Sequence, residues 1–556
     1  MRTFVRPFCV LIAVVSVAAG TAFAQAPSVA AGGIVNHFSF ASPGLPNGGI
    51  AQGSIFDIYG TNIGPAVLTQ LTGFPIPTVL ANTSVQVTVS GTTVDVYLFF
   101  VASGQIVGVL PSRTPIGAGA LTVTVNGQQS AAAPIRVVAR SIGILSLNQA
   151  GNGAAAMQIP DGLGGVPLNS ISAPIKPLGV GVFYGTGGGA VTFDETVGAE
   201  VGDLGDIRAL VGGKEARMLF KGRAPGFVGL DQYNVEIPAD VSGCYVPVAF
   251  LAGDVLSNYT TISVSADGAC SDPRPDNPLP TSGTQSVGAV RLVRSNSKIP
   301  AGDETIEYKI DSGASSFSST DFSKVTPGPG SIFTTIGPCI VTPLKQPEQP
   351  DNSDSVSYLD AGPQINLRGP NGDKILPKVD AAGAIAYSAS LGSTALPGLP
   401  PPDPLYLSPG TYSADNGAGG AQVGPFMTTL TMPDEFVWTN EDITMVQRSQ
   451  GLEITWTGGD PNAMVSIAGS SLAAESATQP EAAGYYFSCT IPAAPGRYTI
   501  SPQVLLTLPP SVVEAGVSSG SLAVATLAEP VRFNATGIDY GEFSYTISLS
   551  RNVEYK

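Results

Sequence analysis

The segment from Ser84 to Phe100 reads SVQVTVSGTTVDVYLFF. Val85, Val87 and Val89 alternate with polar residues, a Gly turn follows at Gly91, and a second apolar run closes the segment. A period of two sends successive side chains to opposite faces, so the pattern predicts a β-hairpin. Leu121, Val123 and Val125 alternate in the same way. Asn126-Gly127 follows them, and a two-residue type I′ turn needs positive φ at both central positions. Val246 to Leu251, the Gly253-Asp254 turn and Thr260 to Val264 repeat the plan. In the C-terminal half, Ile365 to Leu367 and Lys374 to Leu376 flank a Pro370-Asn371-Gly372-Asp373 turn. VGPFMTTLTM (Val423 to Met432) reads as a strand ending at Pro433. Leu452, Ile454 and Trp456 share one face, as do Tyr485, Phe487 and Cys489. No stretch of a dozen residues after Gln25 carries a helical apolar stripe free of Gly and Pro. The predicted fold class is all-β, built from short strands and many turns.

The N-terminal half is written twice. YGTNIG (Tyr59 to Gly64) is matched by YGTGGG (Tyr184 to Gly189), QIVGVLP (Gln105 to Pro111) by QYNVEIP (Gln232 to Pro238), and Gly127 by Gly253. The offsets are 184 − 59 = 125, 232 − 105 = 127 and 253 − 127 = 126. A near-constant period means two copies of one folding unit. The expected units are 33–140 and 141–268. SDPRPDNPLPTSGTQ (Ser271 to Gln285) lies within a stiff linker expected over 269–285, because proline fixes φ and removes backbone donors. Two further β-rich modules are expected at 286–435 and 436–556.

The first residues set the destination. Arg2 and Arg6 precede an uncharged apolar run from Phe8 to Ala19, and Ala22-Phe23-Ala24 forms a small-x-small cleavage site. These are the parts of a secretory signal over 1–24, cleaved between Ala24 and Gln25. The run is shorter than the roughly 20 residues a membrane-spanning helix needs. Cys9 lies inside it rather than at the cleavage junction, so no lipid anchor is expected. The mature chain is expected to be exported, either released or held at the cell surface.

Composition agrees with that destination. Apolar residues make up 43% of the 556, enough for several cores, while only 12% are charged. Gly and Pro number 67 and 47, which favours turns over long helices. The net charge of −16 comes from 26 Lys+Arg against 42 Asp+Glu. Such a chain lacks the basic footprint that nucleic acid or an anionic membrane requires. The expected partner is a protein or a surface glycan.

GSIFDIYGTNIGP (Gly53 to Pro65), VASGQIVGVLP (Val101 to Pro111) and APGFVGLDQYNVEIP (Ala224 to Pro238) resemble the IPT/TIG-like immunoglobulin folds, in the tandem secreted version common in soil bacteria. The resemblance covers about residues 34 to 266. It implies an Ig-like sandwich used as a structural or binding module, with no catalytic residues to carry over, so the expected fold class is all-β, tandem immunoglobulin-like β-sandwiches joined by Pro-rich linkers. The second copy departs from the pattern at YGTGGG and in the insertion from Gly151 to Pro177. ITWTGGDPN (Ile454 to Asn462) resembles segments that accompany these modules in other secreted bacterial proteins.

Without Cys9, four cysteines remain: Cys244, Cys270, Cys339 and Cys489. An even number in an exported chain points to two disulfides, with three connectivities open. Cys244–Cys270 is favoured because the pair brackets a predicted hairpin, and Cys339–Cys489 follows by elimination.

Candidate chemistry is sparse. The single histidine, His37, would have to supply alone the imidazole that nucleophilic triads need, from a segment near a terminus expected to fray. Zinc draws on several His or Cys ligands, and the cysteines are better used in disulfides. YGTGGG lacks the lysine and the following helix of a phosphate loop, so it reads as a turn. Asp351-Asn352-x-Asp354 and Asp415-Asn416 match no calcium-ligand spacing and read as polar turns. No cofactor, no metal and no catalytic residue is expected. The alternative is a carbohydrate-binding or glycoside-hydrolysing protein using Asp434, Glu435, Glu441 and Asp442, which bracket Trp438, since glycoside hydrolysis needs carboxylates and no histidine. Tyr485, Tyr486 and Trp456 read as strand core residues rather than a sugar platform.

Overall fold

Valines 85, 87 and 89 face inward and Ser84, Gln86 and Thr88 outward along the strand Thr83–Val89, as a period of two requires. The structure is a computed structural model and describes residues 26–198, 200–271, 282–301, 304–328, 332–381, 383–396, 402–474 and 483–556. The expected signal peptide 1–24, its junction Ala24/Gln25, Cys9, and positions 272–281 of the expected linker lie outside the described residues.

The first unit is a two-sheet sandwich. One sheet contains Ser28–Asn36, Ile55–Thr61, Gln105–Val109, Tyr97–Val101 and Thr69–Gln70. The other runs through Ile50–Ala51, Ala133–Val138, Gly117–Val125, Thr83–Val89 and Val79–Leu80. Phe56, Ile58, Val87, Leu98, Ile106 and Leu121 fill the space between them. Asn126 and Gly127 take φ of 49° and 82°, the left-handed pair of a type I′ turn, and Val125 faces Gln128 across it.

The second unit packs Phe183, Tyr233, Val235, Val248 and Phe250 in one core. Its long strand Lys214–Arg223 changes sheets along its length. Its first residues pair with Arg208–Val211, and the rest of the strand pairs with Asp231–Glu236. The insertion after Gly151 folds back onto this core, with Met157 and Ile175 buried in it. Backbone bridges join Gln158 to Val182 and Ile175 to Val264.

The C-terminal half departs from the expected division at 435/436. A single 15-stranded sheet runs through both sides of that position. The hairpin Thr284–Ala301 and Glu304–Asp321 lies at its centre, and Tyr540–Asn552 pairs in parallel with the first arm from Val287 to Lys298. Two cores share this sheet. One gathers Val290, Phe317, Tyr387, Tyr412, Phe426 and Phe543. The other gathers Trp438, Trp456, Ile467, Phe487, Leu549 and Tyr555. Strand Tyr540–Asn552 serves both, giving Phe543 and Tyr545 to the first and Leu549 to the second. Cys339–Pro343 reaches from the earlier segment to pair with Gly484–Pro492. The two cores are therefore interleaved in sequence rather than divided at one join.

Candidate functional site

Both tryptophans are core residues. Trp438 is 1% exposed, and its indole donates to Asn440 Oδ1 at 2.9 Å. Trp456 donates to the Ala493 carbonyl at 2.9 Å. The Arg551 guanidinium lies 5.6 Å from the Trp438 ring centroid. Neither indole offers a face to a sugar. Beside them, Glu441 accepts from Lys298 at 2.8 Å and is ion-paired with Arg551, and Asp442 accepts from Lys298 at 2.9 Å. Burial alone would raise the Glu441 carboxyl, but Lys298 and Arg551 outweigh it and hold the group below its usual range. The Lys298 hydrogen bond lowers Asp442 as well. A glycosidase acid needs the opposite shift, since it must stay protonated near neutrality. Asp434 and Glu435 are exposed.

The remaining candidates resolve into structural parts. His37 is not frayed. It closes a strand whose Val35 and Asn36 pair with Asp57 and Phe56. Its Nδ1 lies 2.9 Å from the buried carboxylate of Asp57, which also accepts from Gln105 Nε2 at 2.8 Å. In YGTGGG, the Gly188 amide donates to Asp231 Oδ2 at 2.7 Å, so a protein carboxylate occupies the position a phosphate would need. Asp351 caps the Ser353 amide, and Asp415 is ion-paired with Arg368. Asn416 holds the Ala361 and Gly424 carbonyls at 3.0 Å. Among the described residues, no group of three or more His, Cys, Asp or Glu is arranged to hold a metal. Disulfides join Cys244 to Cys270 and Cys339 to Cys489. Cys339 and Cys489 sit directly opposite each other across the strand pair.

The units are tied together by specific contacts. Arg223, 2% exposed, is ion-paired with the buried Asp231. Its Nη2 donates to the carbonyls of Gly53 in the first unit at 3.0 Å and of Gly189 in the second at 2.8 Å. The Ile55 amide donates to Thr186 Oγ1, whose hydroxyl donates to the Gly229 carbonyl. Ser112 donates from its amide and hydroxyl to the two carboxylate oxygens of Glu195. Between the second unit and the C-terminal half, Gln503 Nε2 donates to the Gly213 carbonyl at 2.7 Å. Leu506 inserts among Leu210, Leu251 and Leu256.

A cleft of about 540 Å³ lies where all three parts meet, with Leu256 and Leu506 among its lining residues. The loop around Phe40 to Asn47 comes from the first unit, Asn152 and Asn258 from the second, and Phe333, Thr334 and Tyr485 from the C-terminal half. Among the described lining residues none carries a carboxylate, and Lys345 alone is charged. Phe333 is 54% exposed. Phe40 holds φ at 51°, a left-handed conformation uncommon for a bulky side chain. The hairpin that carries Phe333 and Thr334 into the cleft is the one clipped by Cys339–Cys489.

Sequence reasoning missed this cleft, whose walls come from loops hundreds of residues apart with no shared motif. It also missed a fold marker that was readable. PGTYS (Pro409 to Ser413) and PGRYT (Pro495 to Thr499) share the spacing Pro-Gly-x-Tyr. The Tyr412 hydroxyl donates to the Ser408 carbonyl at 2.8 Å and accepts from the Ser408 amide at 2.7 Å, the backward bond of a tyrosine corner.

No protein-family model matches the chain, and no curated protein does. Among solved structures it is similar to SGBP-B of a Bacteroides ovatus mixed-linkage glucan utilization locus, in complex with a mixed-linkage heptasaccharide. The identity is 10%, 82% of this chain and 87% of that one are covered, and the TM-score is 0.12. The chicken CNTN1 FN1–FN3 domains show 8% identity, 72% and 98% coverage and a TM-score of 0.14. Sidekick-1 immunoglobulin domains 1–4 show 8% identity, 92% and 99% coverage and a TM-score of 0.11. Scores at this level assign no family, and the immunoglobulin-like description of the units rests on their own sheets.

Proposed function

We propose that this chain is an exported, non-catalytic interaction protein of tandem β-sandwiches, IPT/TIG-like in its first two units, that recognises an extracellular or cell-surface partner in the three-part cleft. The observation that carries the reading is the cleft itself. Its walls come from three parts held in fixed relation by a buried Arg223 tie and by the Leu506 contact. Loops presented by a rigid scaffold are where binding residues concentrate. Two disulfides support export, because they form and persist in oxidising compartments. Among the described residues no helix is long and apolar enough to cross a membrane, which says nothing of a β-barrel. The ionised, ion-paired state of Glu441 supports the non-catalytic part.

Two measurements test the reading. Fractionation of the native host should find the chain cleaved before Gln25 and outside the cytoplasm. Affinity capture from the native envelope should lose specific components when Phe333→Glu blocks the cleft. An uncleaved cytoplasmic protein, or an identical captured set with the variant, removes the reading.

A further inference from the structure

We propose that the cleft binds a short neutral glycan segment, an assignment that rests on the cleft being the recognition site. Three observations converge on this chemistry.

The first is charge. The chain carries 42 acidic residues, yet none is among the described residues lining the cleft. A cationic ligand would find no counter-ion there, and a polyanion would find only Lys345. Burying an unpaired charge is costly, so the ligand that fits is uncharged.

The second is the mixture of surfaces. Phe333 presents an open aromatic ring at the mouth, with Phe40 and Pro343 also in the walls. Beside them stand the Asn47 side-chain amide and the hydroxyls of Ser42 and Thr334, none of which is engaged in a hydrogen bond among the described residues. A purely aliphatic ligand would bury those polar groups without partners, which disfavours it. A pyranose has both complements. Its C–H face lies on an aromatic ring and its edge hydroxyls pair with amides and hydroxyls. The cleft volume of about 540 Å³ lies within the range of small-molecule sites.

The third is Phe40. A bulky residue held at φ 51° is a strained conformation that the surrounding loop must maintain. The Phe40 amide donates to the Asn36 carbonyl at 3.1 Å, so the backbone that carries the ring is held before any ligand arrives. A loop ordered in advance avoids part of the entropy cost of binding.

The test is titration calorimetry on the mature full-length chain with cellotetraose, xylotetraose, mannotetraose and chitotetraose, each to millimolar concentration. A neutral proline-rich decapeptide is the comparison probe. Phe333→Ala and Asn47→Ala are the cleft variants, and Leu163→Ala, on an exposed turn outside it, is the control. Circular dichroism and thermal melting establish that each variant is folded. At least one tetrasaccharide should bind. Phe333→Ala should weaken that binding roughly tenfold, Asn47→Ala several-fold, and Leu163→Ala not at all. No heat with any glycan overturns the assignment, as does glycan binding that both cleft variants leave unchanged. If the peptide binds and Phe333→Ala abolishes it while all four sugars fail, the glycan assignment falls and the cleft survives as a recognition site. If envelope capture is also indifferent to Phe333, the cleft reading falls with it.

Discussion

Tyr184 lies directly opposite Gln232 across an antiparallel strand pair, as Tyr59 lies opposite Gln105 in the preceding unit. The two halves of the repeated signature are thus neighbours in space, which explains why they recur together. The glycine after each tyrosine has a steric reason. A Cβ on Gly60 would sit 2.2 Å from the Ser28 carbonyl oxygen, and one on Gly185 would sit 2.6 Å from that of Gly143.

Gly185→Ala should therefore destabilise the second unit by roughly 1–3 kcal/mol, the usual range for overpacking a close contact. Gly60→Ala should cost less despite its shorter contact. Ser28 lies near the start of an exposed strand that can shift, whereas Gly143 is followed by Ile144, whose amide and carbonyl are both bonded to Asn258. Urea unfolding of the two variants checks the order, and a larger loss for Gly60→Ala contradicts it.

Arg223→Ala should cost about 3–5 kcal/mol, because it leaves the carboxylate of Asp231 buried without its cation. It also removes the donor that reaches both Gly53 and Gly189. The loss should appear in the junction as well as in stability. Small-angle scattering of a fragment spanning both units is expected to show a broader distance distribution than wild type. An unchanged profile with unchanged stability refutes the role of Arg223 as the tie.

Much of the first two units was legible because their strands obey a period of two and their turns use Asn-Gly and Gly-Asp. Val85, Val87 and Val89 needed no tertiary knowledge to be placed inward. The C-terminal half was harder for a physical reason. Cys339–Pro343 pairs with Gly484–Pro492, and Thr284–Ala301 with Tyr540–Asn552, so the pairings that define its cores join segments far apart in the chain. Local pattern identifies such strands but not their partners, and a division at 435/436 looked natural without them. Only the cysteines carried long-range information. The cleft was illegible for the same reason, since Asn47, Asn258 and Phe333 meet through packing alone. The ion pairs of the acids near Trp438 were illegible, because Lys298 lies 144 residues before Asp442 and Arg551 110 residues after Glu441.

Glu441→Gln should lower stability by roughly 1–3 kcal/mol, since it weakens the partner of a buried Arg551. Asp442→Asn should leave the unfolding midpoint unchanged, because that carboxylate is largely in water. The pH dependence follows from the direction of the shift. The folded-state pKa of Glu441 is depressed, so its stabilising contribution is complete above the unfolded value of about 4.3 and is lost as pH falls through the folded value. Wild type and Glu441→Gln should thus differ at pH 6, and the gap should narrow as pH falls below the unfolded value and close below the folded one. A gap that does not narrow with acidification assigns the effect to packing instead of charge.

The two disulfides should not be equivalent. Cys244–Cys270 closes a loop with a separation of 26 residues and Cys339–Cys489 one of 150. Chain entropy then assigns about 3.5 kcal/mol to the first and about 5 kcal/mol to the second. Burial points the same way, because Cys339 and Cys489 are both fully buried while Cys270 is partly exposed. The longer link also fastens the hairpin of Thr334–Ile336 and Cys339–Pro343 to the body that its sheet completes. Replacing Cys339 and Cys489 together by Ala should destabilise the chain more than replacing Cys244 and Cys270. It should also raise amide exchange across Thr334 to Pro343, and with it loosen one wall of the cleft. Exchange mass spectrometry reads the second effect directly. Protection of that hairpin equal to wild type would show that strand pairing alone holds it, and that the disulfide does not set the geometry of the cleft.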